Sequence, residues 1–280
     1  MSNVRNCQGV STVLIAFFLL ISLLAAAQEK KEFRYTVGAR SVISITNDCG
    51  PVTVSPSEDD QVVVTTVSYS DTVSFENEQH GNRIELWASC SRQGSRLADY
   101  RVMVTADAVV SLRSSDGALR AQGLSGDIIL EAAAASVEVT DISHAHLHIK
   151  SLSGPVALTD IRDSHIDIDT VSGNVSIHKV TGSSLKVNSG SGRISYDGDP
   201  GVAGEYLFTS HSGDLDVSIP ATASVEIKAR SLKGKSDQVP SDSQQRPPMS
   251  QRNLLPKPGI VSASRFVLRS FSGKIHLRRP

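Results

Sequence analysis

The chain has 280 residues, with 28 Lys+Arg against 29 Asp+Glu, 39% hydrophobic residues, 5% aromatic residues and three cysteines. The near-neutral charge argues against a nucleic-acid binder that works through a broad basic field, and the hydrophobic content argues against wholesale disorder. Three cysteines exclude a disulfide-dense scaffold and a four-cysteine zinc site, so side-chain packing must hold the fold together.

Residues 1–27 have the layout of a secretory signal peptide. Arg5 is the only charge, and a nearly unbroken apolar run from Val13 to Leu24 is followed by three alanines. The run is short for a bilayer span of about 20 residues, and small side chains suit a signal peptidase. We expect cleavage after Ala27 and export to the periplasm, the cell surface or the medium, without a membrane span afterwards. An uncleaved membrane anchor is the alternative.

Cleavage would remove Cys7 and leave Cys49 and Cys90. Two cysteines in an exported chain can form one disulfide, which would stabilise the fold by about 3–4 kcal/mol on the loop-entropy estimate. Two free thiols are the alternative.

A repeat of apolar residues is the main signal in the chain. After a lead-in at residues 28–39, apolar pairs at i and i+2 recur about every nine or ten positions. The pairs are Val110/Leu112, Leu119/Ala121, Ile128/Leu130, Val137/Val139, Leu147/Ile149, Val156/Leu158, Ile166/Ile168, Val175/Ile177, Leu185/Val187, Ile194/Tyr196, Tyr206/Phe208, Leu215/Val217 and Val225/Ile227. This alternation predicts short strands with each pair facing inward.

The turns between these strands carry a second rhythm. A serine precedes a glycine at Gly126, Gly154, Gly173, Gly192 and Gly213, and the last four glycines lie 19, 19 and 21 residues apart. The spacing predicts an all-β, single-stranded parallel β-solenoid with coils of roughly 19 residues, in which like turns stack on like turns. Leu124, Leu152 and Val171, each two positions before a glycine, are expected to fill the corners.

The solenoid domain is predicted to span residues 40–280, with two interruptions. The pairs Ile43/Ile45, Val52/Val54 and Val62/Val64 already follow the repeat. Residues 66–108 hold longer strands that predict a β hairpin or cap, tied by Cys49 and Cys90. Residues 233–258 are rich in Ser, Gln, Lys and Pro and predict a flexible loop. The pattern then returns at Phe266/Leu268, which predicts a closing coil.

The runs Ile45–Val54 and Tyr100–Ala108, followed by the Ser-Gly units, resemble the bacterial putative-adhesin family of β-strand-repeat proteins, whose function is unassigned. The resemblance covers most of residues 33–277. It implies an exported β-solenoid of the cell envelope, and it brings no set of functional residues with it.

The best metal-ligand candidates lie together in the middle of the chain. His144, His146 and His148 alternate along one predicted strand, and a shift of one coil places His165 beside His146. Neighbouring rungs about 4.8 Å apart would bring these imidazoles within reach of a zinc, nickel or copper ion. A solvated polar face is the alternative interpretation.

No catalytic constellation emerges from the sequence. It holds no G-x-S-x-G nucleophile elbow, and the repeat explains most serines as turn formers. We therefore predict a protein that is not an enzyme and needs no cofactor, binding an unidentified protein or glycan of the cell envelope and no nucleic acid. The alternatives are a metal-binding module at the histidine strand and a polysaccharide-active β-helix enzyme, for which no matched acid pair is identifiable.

Overall fold

The computed structural model describes residues 29–59, 61–90, 97–234, 236–237 and 263–280. The expected signal peptide at residues 1–27 lies outside the described residues, as does most of the expected loop at 233–258. The described chain is all strand and turn, and it contains no helix long and apolar enough to cross a bilayer.

Twenty-three strands make up the described chain. They are β1 (Glu29–Thr36), β2 (Val42–Asn47), β3 (Val52–Pro56), β4 (Gln61–Ser68), β5 (Val73–His80), β6 (Arg83–Cys90), β7 (Ala98–Val104), β8 (Val109–Ser114), β9 (Leu119–Gln122), β10 (Asp127–Ala132), β11 (Val137–Ser143), β12 (His146–Ser151), β13 (Val156–Arg162), β14 (His165–Thr170), β15 (Val175–Thr181), β16 (Ser184–Ser189), β17 (Ile194–Asp197), β18 (Glu205–Ser210), β19 (Leu215–Ser218), β20 (Val225–Ser231), β21 (Ser236–Asp237), β22 (Ser264–Ser270) and β23 (Ile275–Arg278).

The strands form a twelve-stranded sheet and an eleven-stranded sheet that face each other. From β8 to β19 consecutive strands alternate between the sheets, and each pairs in parallel with the strand two places along the chain. Val156 pairs with Val175 and Ile166 with Leu185, so the partners lie 19 positions apart. The chain is therefore all-β with parallel strands, one strand of each coil lying in each sheet.

The predicted inward pairs line the space between the sheets. All are buried except Val225/Ile227, which is half-buried because β20 is the edge of its sheet. Toward that end the core becomes aromatic, with the rings of Tyr206 and Phe266 stacked at 4.4 Å. The Tyr206 hydroxyl donates to the Pro200 carbonyl at 3.0 Å, which satisfies the polar end of a buried ring.

The N-terminal end departs from the simple repeat. The coil β2–β3 lies between the coils β6–β7 and β8–β9, and β5 and β6 form an antiparallel hairpin. The assignment of Val62/Val64 to the parallel repeat is wrong, because β4 runs antiparallel to both β1 and β7. A disulfide joins Cys49, in the turn after β2, to Cys90 at the end of β6, with their Cα atoms 6.0 Å apart.

The C-terminal coil does not close the stack, contrary to expectation. β22–β23 lies between the coil β18–β19 and the strands β20–β21, so that Phe266 has Tyr206 on one side and Ile227 on the other. The reason is apolar burial: the inward residues of β22 are bulkier than those of β20, and an interior position covers them on both sides.

Two kinds of corner join the sheets. At the glycine corner, where the chain passes from the eleven-stranded to the twelve-stranded sheet, a Cβ on Gly173 would overlap the carbonyl oxygen of Gly154 in the preceding rung. Gly173 does not have a positive φ, so close approach of the rungs, rather than a left-handed backbone, requires glycine there.

At the opposite corner, here the bulge corner, a left-handed residue such as Asp141 or Asp160 (φ 54° and 55°) turns the strand. Gly126 lies at this corner, so its placement with the other Ser-Gly turns is wrong. Leu124 is buried here and fills the corner as expected. Leu152 and Val171 do not fill theirs, because they lie at the glycine corner and point outward, 56% and 57% exposed.

Candidate functional site

A groove follows the glycine corner along the solenoid axis. It has a volume of about 1010 Å³ and extends from Asp48 and Ser115 at one end to Leu232 and Phe271 at the other. These ends are eight rung spacings apart, which corresponds to about 40 Å at the spacing of neighbouring strands. The site is therefore long and narrow, a shape that fits an extended chain better than a compact molecule.

The floor of the groove is a column of small side chains, each the last residue of a strand in the eleven-stranded sheet. Its members are Ser114, Ala132, Ser151, Thr170, Ser189, Ser210 and Ser270. The Ser151 hydroxyl donates to the Gly154 carbonyl at 2.7 Å, and Ser189 donates to Gly192 at 2.9 Å, so these hydroxyls hold the corner in shape. The Ser210 hydroxyl is buried and has no hydrogen-bond partner among the described residues.

One wall of the groove is an apolar ridge formed by the next residue of each rung. Its members, in stacking order, are Ala133, Leu152, Val171, Gly190, His211, Phe271 and Leu232. Four of these belong to the eight large hydrophobic side chains that are exposed in the described chain. Half of the exposed large apolar residues therefore lie in one line, and contiguous apolar surface of this kind marks an interaction site.

The other wall is a polar ladder on the outer face of the eleven-stranded sheet. In register, its members are Arg113, Glu131, Lys150, Asp169, Asn188, Thr209 and Arg269. Arg113 contacts Glu131 at 2.6 Å, and the Asn188 amide donates to Asp169 at 2.8 Å. With Asp48, the groove is lined by three acidic and three basic side chains, so their charges cancel.

An aromatic platform lies toward one end of the ridge. The rings of His211 and Phe271 stack with centroids 5.0 Å apart and planes within 4°, and the Lys233 ammonium lies 4.8 Å from the Phe271 centroid. The apolar repeat in the sequence pointed to neither ring residue. The signal that identifies them is the second position of the repeated Ser-x-Ser-Gly turn, where the residue points into solvent.

The structure brings the candidate histidines together only in part. His146 lies beside His165 as expected, with ring centroids 5.9 Å apart, and His148 lies opposite Asp167. His144 is not on the strand, because it lies in a left-handed turn (φ 54°) before β12 begins at His146. The buried Ala145 separates His144 from the strand. Among the described residues, no group of three or more His, Cys, Asp or Glu side chains could hold a metal ion.

The two acidic residues of the polar ladder already have partners within it. Glu131 is paired with Arg113, and Asp169 accepts from Asn188. Such pairing holds each carboxylate in the wall and favours recognition over proton transfer.

Comparison with known proteins gives a fold family and no activity. Among solved structures, the chain is similar to one described as "a putative cell adhesion protein" from Clostridium sporogenes ATCC 15579, at 14% sequence identity, covering 90% of this chain and 100% of that chain, with a TM-score of 0.28. No curated protein matches the chain. The family model Toastrack DUF4097 matches residues 40–252, a range that contains every parallel coil of the described chain except β22–β23, and most of the groove. The chain belongs to the Toastrack DUF4097 family.

Proposed function

We propose that this protein is exported and serves as a non-enzymatic, adhesin-like binding scaffold of the cell envelope. The observation that carries the proposal is the long groove at the glycine corner, in which an exposed apolar ridge faces a ladder of polar side chains without net charge. Apolar surface left in contact with water in this arrangement favours a partner that covers it.

The scaffold role is supported by how the groove is held. Each ridge residue is tied to the preceding rung through its backbone, as when Leu152 N–H donates to the Ala132 carbonyl at 3.0 Å and Val171 N–H donates to the Ser151 carbonyl at 3.1 Å. The antiparallel strands β1, β4 and β5 would act as the cap of one end, and the 19-residue coil as the repeating unit of the rod. A wall built this way keeps its shape without a ligand, which lowers the entropic cost of binding.

Export is supported by two independent features. Residues 1–27 have the composition of a secretory signal peptide, and the disulfide between Cys49 and Cys90 is a bond that persists in oxidising compartments. The non-enzymatic assignment is supported by the groove carboxylates: in the part of the chain that the structure describes, Glu131 and Asp169 lie on the same wall, and each is already paired with a neighbour.

The experiment expresses the full chain in a bacterium, fractionates the cells and measures the mass of the exported protein. We expect a chain that begins at Gln28 and that binds saturably when mixed with isolated envelopes and sedimented. Retention of the full chain in the cytoplasm, or sedimentation that does not saturate, contradicts the proposal. So does release of reducing ends from envelope polysaccharides that Glu131→Gln or Asp169→Asn abolishes.

A further inference from the structure

We propose that the groove binds a neutral glycan chain laid along the solenoid axis, with His211 as the platform on which one sugar ring stacks. This inference deepens the proposed function, on which it rests, by assigning the binding site and the chemical class of the partner. Three observations support it: the shape of the ridge at His211, the balanced charges of the polar ladder, and the hydrogen bonds that the backbone amides of the corner already make.

The ridge has a notch beside His211. Phe271 covers one face of the imidazole, in the rung that follows. The preceding rung contributes Gly190, which has no side chain to cover the other face, and Val171 stands one rung further on. The backbones of the His211 and Val171 rungs are therefore two strand spacings apart, roughly 10 Å, and the notch between them has a flat ring at one side and an apolar side chain at the other. A pyranose ring is flat enough to enter and presents an apolar C–H face to the imidazole.

A buried hydroxyl lies at the same place. Ser210 precedes His211 and lines the groove floor, and it is only 3% exposed. Its Oγ has no hydrogen-bond partner among the described residues, whereas the equivalent hydroxyls of Ser151 and Ser189 donate to glycine carbonyls. Leaving a buried hydroxyl unpaired is costly, which distinguishes Ser210 from the other serines of the groove floor.

The ladder that faces the notch suits a neutral partner with many hydroxyl groups. Basic and acidic side chains alternate along the first four rungs of the ladder, from Arg113 to Asp169. The uncharged Asn188 and Thr209 follow beside the platform, and Arg269 lies one rung beyond them. A polyanion would meet carboxylates and a polycation would meet guanidinium and ammonium groups. A sugar hydroxyl both donates and accepts, so it can bond to every member of the ladder.

The corner cannot add a peptide strand. The ridge N–H groups are already donated to the preceding rung, as for His211 to the Ser189 carbonyl at 3.0 Å and Phe271 to Ser210 at 3.1 Å. Binding of an extended peptide by strand addition needs free backbone donors and acceptors at a sheet edge. Side chains therefore have to make the contacts in this groove, and the side chains present are an apolar ridge and a neutral polar ladder.

The test is affinity electrophoresis of the exported protein in native gels that contain a neutral polysaccharide (dextran, xyloglucan or hydroxyethyl cellulose) or an anionic one (alginate or heparin). His211→Ala removes the platform and Val171→Ser removes the far side of the notch. Val202→Ser is the matched control, since Val202 is as exposed as Val171, at 57%, but does not line the groove. Circular dichroism and the urea midpoint establish that all variants are folded.

We expect at least one neutral polysaccharide to retard the wild-type protein. We expect His211→Ala to weaken this binding about five- to tenfold, Val171→Ser to weaken it about threefold, and Val202→Ser to leave it unchanged. Equal retardation of all four proteins, retardation only by anionic polysaccharides, or no retardation at all would overturn the inference. If the protein then still binds isolated envelopes saturably, the proposed scaffold function stands with a different partner. Loss of this binding after protease treatment of the envelopes would identify that partner as a protein.

Discussion

Replacing Gly173 by Ala tests whether the glycine corner depends on close contact between rungs. A Cβ at Gly173 would overlap the carbonyl oxygen of Gly154, which belongs to the backbone and cannot rotate away. Relieving the overlap must move the rung, and that loosens the bonds from Ser172 N–H to the Leu152 carbonyl (3.0 Å) and from Gly173 N–H to the Thr170 hydroxyl (2.9 Å). Overpacking of about 1–3 kcal/mol and about 1 kcal/mol for each weakened bond give a loss of about 3–5 kcal/mol.

Gly81→Ala is the matched control. Gly81 has a positive φ of 59° in the β5–β6 turn, but nothing lies within 4 Å of the position of an added Cβ. Its substitution therefore costs only the left-handed backbone strain, about 1–2 kcal/mol. Urea denaturation followed by circular dichroism measures both variants, with the larger fall in midpoint expected for Gly173→Ala. If Gly81→Ala costs as much as Gly173→Ala, rung contact is not what requires glycine in this column.

Three further predictions concern the core and the disulfide. Replacing Cys49 and Cys90 by Ser is expected to lower the free energy of unfolding by about 4 kcal/mol for a separation of 41 residues, and a urea midpoint that is insensitive to reductant would contradict this. Phe266→Ala removes a ring stacked at 4.4 Å and is expected to cost about 3–5 kcal/mol, whereas Phe271→Ala in the exposed groove wall should cost less than about 1 kcal/mol in the same assay. Burial raises the pKa of Tyr206 from 10.0 to about 12. The native state then holds a proton that the unfolded state loses, so stability should fall as the pH rises above 10, and Tyr206→Phe should reduce that slope in urea titrations.

The histidine cluster shows how far register can be predicted and where prediction fails. A shift of one coil placed His165 beside His146, and the strands pair in that register, which also sets Asp167 opposite His148. The same reasoning put His144 on the strand, where the structure has a left-handed turn. Alternation of outward residues continues only as far as the strand does, and where a strand begins depends on which neighbours it can bond.

The order in which the coils stack could not be predicted from the sequence pattern either. The aliphatic repeat predicted β22 as one more rung, and its inward residues Phe266 and Leu268 are buried as that pattern requires. Its insertion between β18 and β20 follows from long-range pairing of Tyr206 with Phe266 and of Phe266 with Ile227. Local periodicity carries no information about which of two similar rungs a strand will join.

The amino-acid sequence alone determined the strands of the regular parallel coils and the inward face of each, because side chains alternate along a strand whatever its neighbours are. It could not distinguish Leu124, which fills the bulge corner, from Leu152 and Val171, which line the groove, since all three stand two positions before a glycine. The direction of a corner side chain is decided by the sheet from which the chain arrives and by the rung against which it stacks. The groove, and with it the candidate binding site, is therefore a property of the assembled coils.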